Sequence, residues 1–471
     1  MSFGPLVPGL GLTESVTVSI TDETPERLRP DEAPLPAALP IRRVHPAWWV
    51  AAATFLTIIG AAGFRSTPGV LMNPLHEEFG WPMGVIGAAV SVNLVLYGLV
   101  APFSAALMER LGVQRVVTGA LVLVSVGSLL PIWMTTSWQL VLSWGLLVGI
   151  GTGAMAMSLV ATVTGRWFIA RRGLVTGVLT AAGATGQLVF LPGLAWLAEH
   201  SGWRSAALAA GVTALVVVPL VLWRLHDHPS DLGTTAYGAP AGAPVTRPTP
   251  ASGRPVRLAL DTLRDAARTR VFWLLAGGFA ICGMSTNGLV GTHFIPAAHD
   301  HGMPLTTAAS LLALVGVFDI AGTVFSGWLT DRVDARLLLG VYYTLRGASL
   351  LLLPSLFGDA MHVNMLAFVI FYGLDWVATV PPTIALCRDA FGERAPIVFG
   401  WVFAAHQIGA AVAASGAGLV RDHLGAYTLA WYMAGALCFG AAAMSVSVAR
   451  RRLATDAPGD DLLDDPLADR I

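Results

Sequence analysis

Twelve apolar runs, each about twenty residues long, organise this sequence. They cover roughly residues 47–72, 84–108, 113–134, 138–164, 173–198, 205–224, 271–298, 306–330, 336–357, 361–387, 396–420 and 427–449. About twenty apolar residues is the length of helix that crosses the ~30 Å hydrocarbon layer of a bilayer. In lipid each run must be helical, because an unpaired backbone group costs several kcal/mol there. A soluble reading would need two or three unusually apolar domains, since single cores stop growing near ~250–300 residues and the chain has 471. Charged residues make up 12%, about half the ~25% of soluble domains.

The charges that remain exclude further classes. Formal net charge is −1, so no basic field is present to hold a nucleic acid. All 28 basic residues are arginine. With no lysine there is no Schiff-base nucleophile and no GxxxxGK[ST] phosphate loop. Cys282, Cys387 and Cys438 are far apart and sit in apolar runs, where cysteine behaves as a small hydrophobe. Gly149-Ile-Gly151-Thr-Gly153 has the look of a dinucleotide loop, but it lies inside an apolar run and predicts close helix packing. No catalytic motif and no metal-type His/Cys cluster occurs in the sequence, so neither an enzyme, a cofactor nor a metal is expected.

Arginine placement sets the expected orientation. With both termini in the cytoplasm, the external loops hold only Arg204 and Arg421, and Arg65 and Arg346 lie inside spans. The other 24 arginines then fall on the cytoplasmic side. The expected organisation is a disordered cytoplasmic tail (1–46), a first six-helix half (47–224), a cytoplasmic linker (225–270), a second six-helix half (271–449) and a cytoplasmic tail (450–471). The two halves repeat at an offset of 222: Pro74, Gly80 and Pro82 match Pro296, Gly302 and Pro304, and Glu109-Arg110 matches Asp331-Arg332. Two similar halves suit a rocking transporter with its site between them.

These residues carry a family resemblance. Gly327-Trp-Leu-Thr-Asp331-Arg332 resembles the loop 8–9 form of the signature G-x-L-x-D-R-x-G-R-[RK] of the major facilitator superfamily. The first-half copy, Ala105-Ala-Leu107-Met-Glu109-Arg110-Leu-Gly112, is degraded, with Ala for the opening Gly and Gln114 at the last basic position. Gly69-Val-Leu-Met-Asn-Pro74-Leu-His-Glu-Glu-Phe-Gly80-Trp81, Arg166-Trp-Phe168 with Arg171-Arg172-Gly173, and Asp422-His-Leu-Gly425-Ala-Tyr427 look like its monocarboxylate and oxalate/formate branch. The resemblance implies an all-α membrane protein with twelve transmembrane helices in two pseudo-symmetric halves. It also implies secondary active transport by alternating access, in a cell membrane, by a monomer. Glu109, Arg110, Asp331 and Arg332 are then gating residues, as charged groups at helix ends can latch one conformation.

Four charges sit well inside spans: Arg65, Asp319, Arg346 and Asp375. Each costs about 2.5–3.5 kcal/mol or more unless paired or hydrated, and together they sum to zero, which suits mutual pairing. Tyr372, Asp375, Trp376 and Thr379 share a helix face at i, i+3, i+4 and i+7, and Pro381-Pro382 behind them must interrupt the ladder as a hinge. The resemblance implies a proton-carrying role for Asp319, but the Arg that follows one turn later in better-known members is Thr323 here. Asp319, Arg346 and Asp375 are therefore candidates for proton coupling or a charge network. Arg65 is the candidate anchor for an anionic substrate, since a guanidinium holds a carboxylate bidentately. Asn287 matches Arg65 at the 222 offset. His293, His406, Asn93 and Tyr97 complete the candidate substrate contacts. The expected cargo is a small organic anion, with protons or a counter-substrate as coupling partner. A drug or metabolite exporter is the competing function, against which G-x-x-x-G-P-x-x-G-G is missing from Gly173–Gly193. A solute sensor that does not transport is a third.

Overall fold

The computed structural model describes residues 44–81, 83–245, 254–358 and 362–448. Both expected tails lie almost wholly outside the described residues, and so does the side chain of Arg65. Among the described residues the secondary structure is helical, apart from a single bridge between Phe168 and Tyr237.

Twelve membrane helices follow one another: α1 (Pro46–Phe79), α2 (Met83–Leu111), α3 (Val113–Leu129), α4 (Ser137–Trp167), α5 (Arg172–Ser201), α6 (Trp203–Arg224), α7 (Arg270–Asp300), α8 (Leu305–Thr330), α9 (Ala335–Leu352), α10 (Val363–Asp375 and Val380–Phe391), α11 (Ala395–Leu424) and α12 (Thr428–Val446). By length and apolar character eleven stretches qualify as spans, the longest, Val363–Arg421, holding both α10 and α11. Local chemistry ends the helices. Gly80 (φ 65°) and Gly425 (φ 75°) close α1 and α11 in the left-handed conformation that lets their N–H reach back to His76 and Arg421. At the start of α7 the Thr269 hydroxyl accepts from Phe272 N–H (3.3 Å), and at the start of α9 Asp334 accepts from Arg336 N–H (3.0 Å).

The two halves share one packing pattern. In the first, α1 lies against α5 and α6, α3 against α6, and α2 against α4. In the second, α7 lies against α11 and α12, α9 against α12, and α8 against α10. Between the halves, α5 meets α8 and α2 meets α11.

Two helices depart from α geometry. Val141–Val148 of α4 and Met284–Val290 of α7 are π-helical, a rare form that is frequent at functional sites. The glycines of Gly149–Gly153 follow the first of these and are packing contacts: a Cβ on Gly149 would lie 3.1 Å from Asn93 Cα, and one on Gly151 2.8 Å from Ala120 O.

Between the halves the chain is pinned twice. Tyr237 N–H donates to Trp167 O (2.8 Å), and its ring packs edge-on against Trp48. Further on, an amphipathic helix, Pro255–Ala267, spans the α2–α11 junction. Its Ala259 packs with Ala105 and Ala106 of α2 and Ile397 of α11, and Ala259 O accepts from Trp401 Nε1 (3.1 Å).

His228 sits half-buried in the turn after α6. Burial, and then the nearby Arg166 guanidinium, hold its imidazole below the ordinary 6.5. The folded state therefore favours the neutral ring. That contribution is complete above pH 6.5 and is lost as pH falls through the lowered value. Lowering pH from about 7.5 to about 5.5 should cost the natural protein more melting temperature than His228→Gln. Equal falls in both would remove His228 from the account.

Candidate functional site: a broken helix and the seam between the halves

α10 stops at Asp375 and resumes at Val380. Pro381 and Pro382 explain the place of the restart, since proline lacks an N–H and is tolerated in a first turn. A break in lipid leaves carbonyl and amide groups without ladder partners. Side chains from neighbouring helices take them up. Arg346 of α9, fully buried, donates from Nη2 to Asp375 O (2.5 Å) and Trp376 O (3.3 Å). Ser326 of α8 donates to Ala378 O (2.5 Å). Asp319 Oδ1 accepts from Val377 N–H (3.0 Å) and from the Thr323 hydroxyl (2.8 Å).

Arg346 does more than repair backbone. Its Nε donates to Asp375 Oδ2 at 2.6 Å, a buried ion pair, and Nη1 lies 3.0 Å from Cys282 Sγ of α7. The Cys282 thiol is also 3.3 Å from the Thr379 hydroxyl. Tyr372 donates to Ser285 O (2.8 Å) in the π segment of α7. Among the described residues the second half thus buries one guanidinium and two carboxylates, Asp375 and Asp319. Asp375 Oδ1 finds no hydrogen-bond partner among the described residues.

The other candidates distribute as follows. Asn93 of α2 donates to Trp144 O (2.8 Å), a carbonyl of the π segment of α4. Tyr97, one turn on, meets Phe403 of α11 edge-to-face at 5.4 Å, a contact between the halves. His406 lies between Phe279 (4.8 Å) and Phe403 (5.9 Å). His293 Nε2 is 2.8 Å from Ala414 O and its ring packs on Tyr427. Asn287 is exposed within the π segment of α7. Cys282 and Ser326 are members of the cluster that sequence reading did not place beside these charges, whereas Thr379 was read on the Asp375 face and Thr323 one turn after Asp319. Ser326 shares α8 with Asp319, but Cys282 lies on α7, which holds none of the four in-span charges.

The two signature copies behave differently. Asp331 reaches across the seam: its oxygens accept from Gly173 N–H (2.6 Å) and Leu174 N–H (3.0 Å), in the first turn of α5. A carboxylate there meets unpaired amides and the positive end of the helix dipole. Glu109 instead pairs with Arg166 inside its own half (2.7 Å). Arg332 stacks on Trp328, and Arg110 is exposed. Close backbone approach makes the Asp331 contact reachable. A Cβ on Gly173 would lie 2.4 Å from Gly327 O, and one on Gly177 2.6 Å from Thr323 O.

Comparison with known proteins fits this architecture. The Major Facilitator Superfamily profile matches residues 53–414 and, overlapping, 294–462. The chain belongs to that superfamily and is a multi-pass membrane transporter. It is 26% identical over 434 residues to monocarboxylate transporter 13 of Rattus norvegicus, covering 89% of this chain and 94% of that protein. It is 24% identical over 390 residues to the uncharacterised MFS-type transporter YcxA of Bacillus subtilis (81% and 90%). Among solved structures it resembles the E. coli fucose:proton symporter FucP (TM-score 0.63, 16% identity, 85% of this chain and 98% of that one). A structure of FucP in the outward conformation gives the same TM-score, identity and coverage.

Removing one partner of a buried pair strands the other and costs ~3–5 kcal/mol. Arg346→Leu should lose this much, because it also strips two carbonyls. Asp375→Asn should lose less, since the carbonyl contacts of Arg346 survive. The double variant should cost less than the sum of the two. Additive melting-temperature shifts in a two-by-two cycle would deny the coupling.

Proposed function

We propose that the chain carries a small organic anion of the monocarboxylate class, coupled to protons, by alternating exposure of a site between its halves. The observation that carries the reading is the charge balance around the break of α10, where two buried carboxylates, Asp319 and Asp375, stand with one buried guanidinium, Arg346, which pairs with Asp375. That arrangement holds one negative charge too many for a dry interior, and one proton neutralises it. The relatives named as monocarboxylate transporters support the anion, and the proton symporter among the structural relatives supports the coupling.

The two carboxylates differ in what a proton would cost them. Protonating Asp375 gives up its ion pair with Arg346. Asp319 takes two neutral donors on Oδ1, so a proton on Oδ2 breaks neither bond. Asp319 is therefore the proton carrier in this reading, and Asp375 fixes Arg346 at the break of α10. Arg65 on α1 is the anion anchor. Asn93, Tyr97, Asn287, His293 and His406 are the other polar groups of the path. Glu109, Arg110, Asp331 and Arg332 form the gate at the face that carries the termini, taken as cytoplasmic.

The test is uptake of a labelled monocarboxylate into sealed proteoliposomes with the outside acidic. Accumulation should follow the gradient and collapse with a protonophore. Asp319→Asn should abolish gradient-driven accumulation while leaving exchange of substrate for substrate. Arg65→Ala should abolish both. Gradient-driven accumulation that survives Asp319→Asn would reject the proton assignment. Failure of every monocarboxylate to bind folded protein, with altered drug tolerance on deletion, would favour the exporter.

A further inference from the structure

A groove runs along the outside of the α5–α8 seam, near the face that carries the termini. Leu174 of α5 and Ile320, Ala321, Val324, Phe325 and Trp328 of α8 line it, and its volume is about 540 Å³. It is shallow and open to one side, and its lining is almost wholly apolar. The groove looks toward lipid. Asp319, Gly322 and Ser326 face α10, as their contacts with Val377, Leu374 and Ala378 demonstrate. At 100° per residue, Ile320, Val324, Phe325 and Trp328 lie on other sides of α8. Phe325 is 57% exposed and stacks on Trp328.

Walls of this kind would accept any acyl chain. The mouth is more selective. Arg332 Cζ lies 4.0 Å over the Trp328 ring, and its Nη1 donates to Trp328 O (2.9 Å). No carboxylate among the described residues lies within 4.0 Å of this guanidinium. Arg171 and Arg172 begin α5 beside Leu174, and Arg388 and Asp389 are close enough to act on Arg172. Arg172 donates to the carbonyls of Thr164, Gly165 and Phe168 and Arg388 pairs with Asp389, so Arg332 stands at the mouth as a guanidinium with no carboxylate beside it among the described residues. A guanidinium with no carboxylate partner over an apolar groove suits a ligand with an anionic head and an apolar tail.

We propose that this groove binds an anionic phospholipid of the leaflet at the termini face, its phosphate at Arg332 and one acyl chain against Phe325 and Val324. Basic pockets between membrane helices on the cytoplasmic side hold lipid head groups in this way. The groove is lined by α8 of the second half and edged by Leu174 of the first. A lipid there bridges the closed seam, and it must leave, or lose that edge, when α5 and α8 part at this face. The occupied groove therefore favours the conformation described here.

The test uses the full chain in detergent, titrated with phosphatidylglycerol or phosphatidylcholine of equal chain length and read by native mass spectrometry and melting temperature. The natural protein should retain one more phosphatidylglycerol than phosphatidylcholine and be stabilised by it. Arg332→Gln should weaken that one binding event about fivefold, the ~1 kcal/mol expected of one basic group at a lipid surface. Ala321→Trp fills the groove and leaves every charge in place, and it should remove the same lipid. Equal retention of the two lipids, or unchanged binding in both variants, would overturn the proposal. Stabilisation by inorganic phosphate equal to that by phosphatidylglycerol would also overturn it, because the site would then hold a free anion.

Discussion

A bilayer offers the backbone no hydrogen bonds, and the interior of this protein is arranged around that lack. Regular helix needs no help. Wherever the chain departs from it, a polar side chain must be carried into the membrane to take up what the departure leaves unpaired. The break in α10 shows the consequence in full. Three carbonyls and one amide between Asp375 and Ala378 are met by Arg346, Ser326 and Asp319, which come from two other helices. The π segment of α4 repeats the theme in the first half, where Asn93 meets Trp144 O. Charges that look extravagant in an apolar helix are, in the first place, backbone repairs. Once buried for that purpose, they bring electrostatics that a transporter can use.

The seam between the halves rests on a different constraint, the distance at which two helices can lie. Glycine lets α5 and α8 touch backbone to backbone at Gly173, Gly177 and Gly327. Only at that separation can one carboxylate, Asp331, cap a helix of the opposite half. The α2–α11 junction has no such cap. It is covered instead by the helix Pro255–Ala267, which touches α2 through Ala105 and Ala106 and α11 through Ile397 and Trp401. Two copies of one motif have thus diverged into different devices. Parting the halves at this face must break an ionic cap on one side and peel away an apolar strap on the other.

The fold was legible because its cause is local. A span is written in twenty consecutive residues, its start and stop in a threonine or a glycine, and the repeat in an offset that any pair of matched prolines reveals. The site was legible only by residue type. Arg346, Asp319 and Asp375 stand out because charge in an apolar run is expensive, whatever its partner. Their partners are set by how α8, α9 and α10 rotate against one another, and no spacing within a single helix encodes that. For the same reason Cys282 passed as a small hydrophobe, although it meets a guanidinium, and nothing in the signature motif pointed Asp331 to α5. The π segments escaped for a further reason. Their residues, such as Val141-Leu142-Ser143-Trp144, fit an ordinary helix equally well, and the extra residue per turn is decided by packing.

Repair and transport meet at Thr323. Its hydroxyl donates to Asp319, while its carbonyl oxygen lies at the seam, 2.6 Å from where a Cβ of Gly177 would stand. One residue therefore touches both the proposed proton carrier and the other half of the molecule. A carboxylate holds its donors through charge, and a carboxylic acid holds them more weakly. Protonating Asp319 would loosen its grip on Thr323 and on Val377 together, at one stroke easing the α5–α8 contact and the stitched break of α10. The signal needs to travel a single helical turn. No long pathway is required, because Asp319, which faces α10, lies one helical turn from the Thr323 carbonyl at the α5–α8 seam.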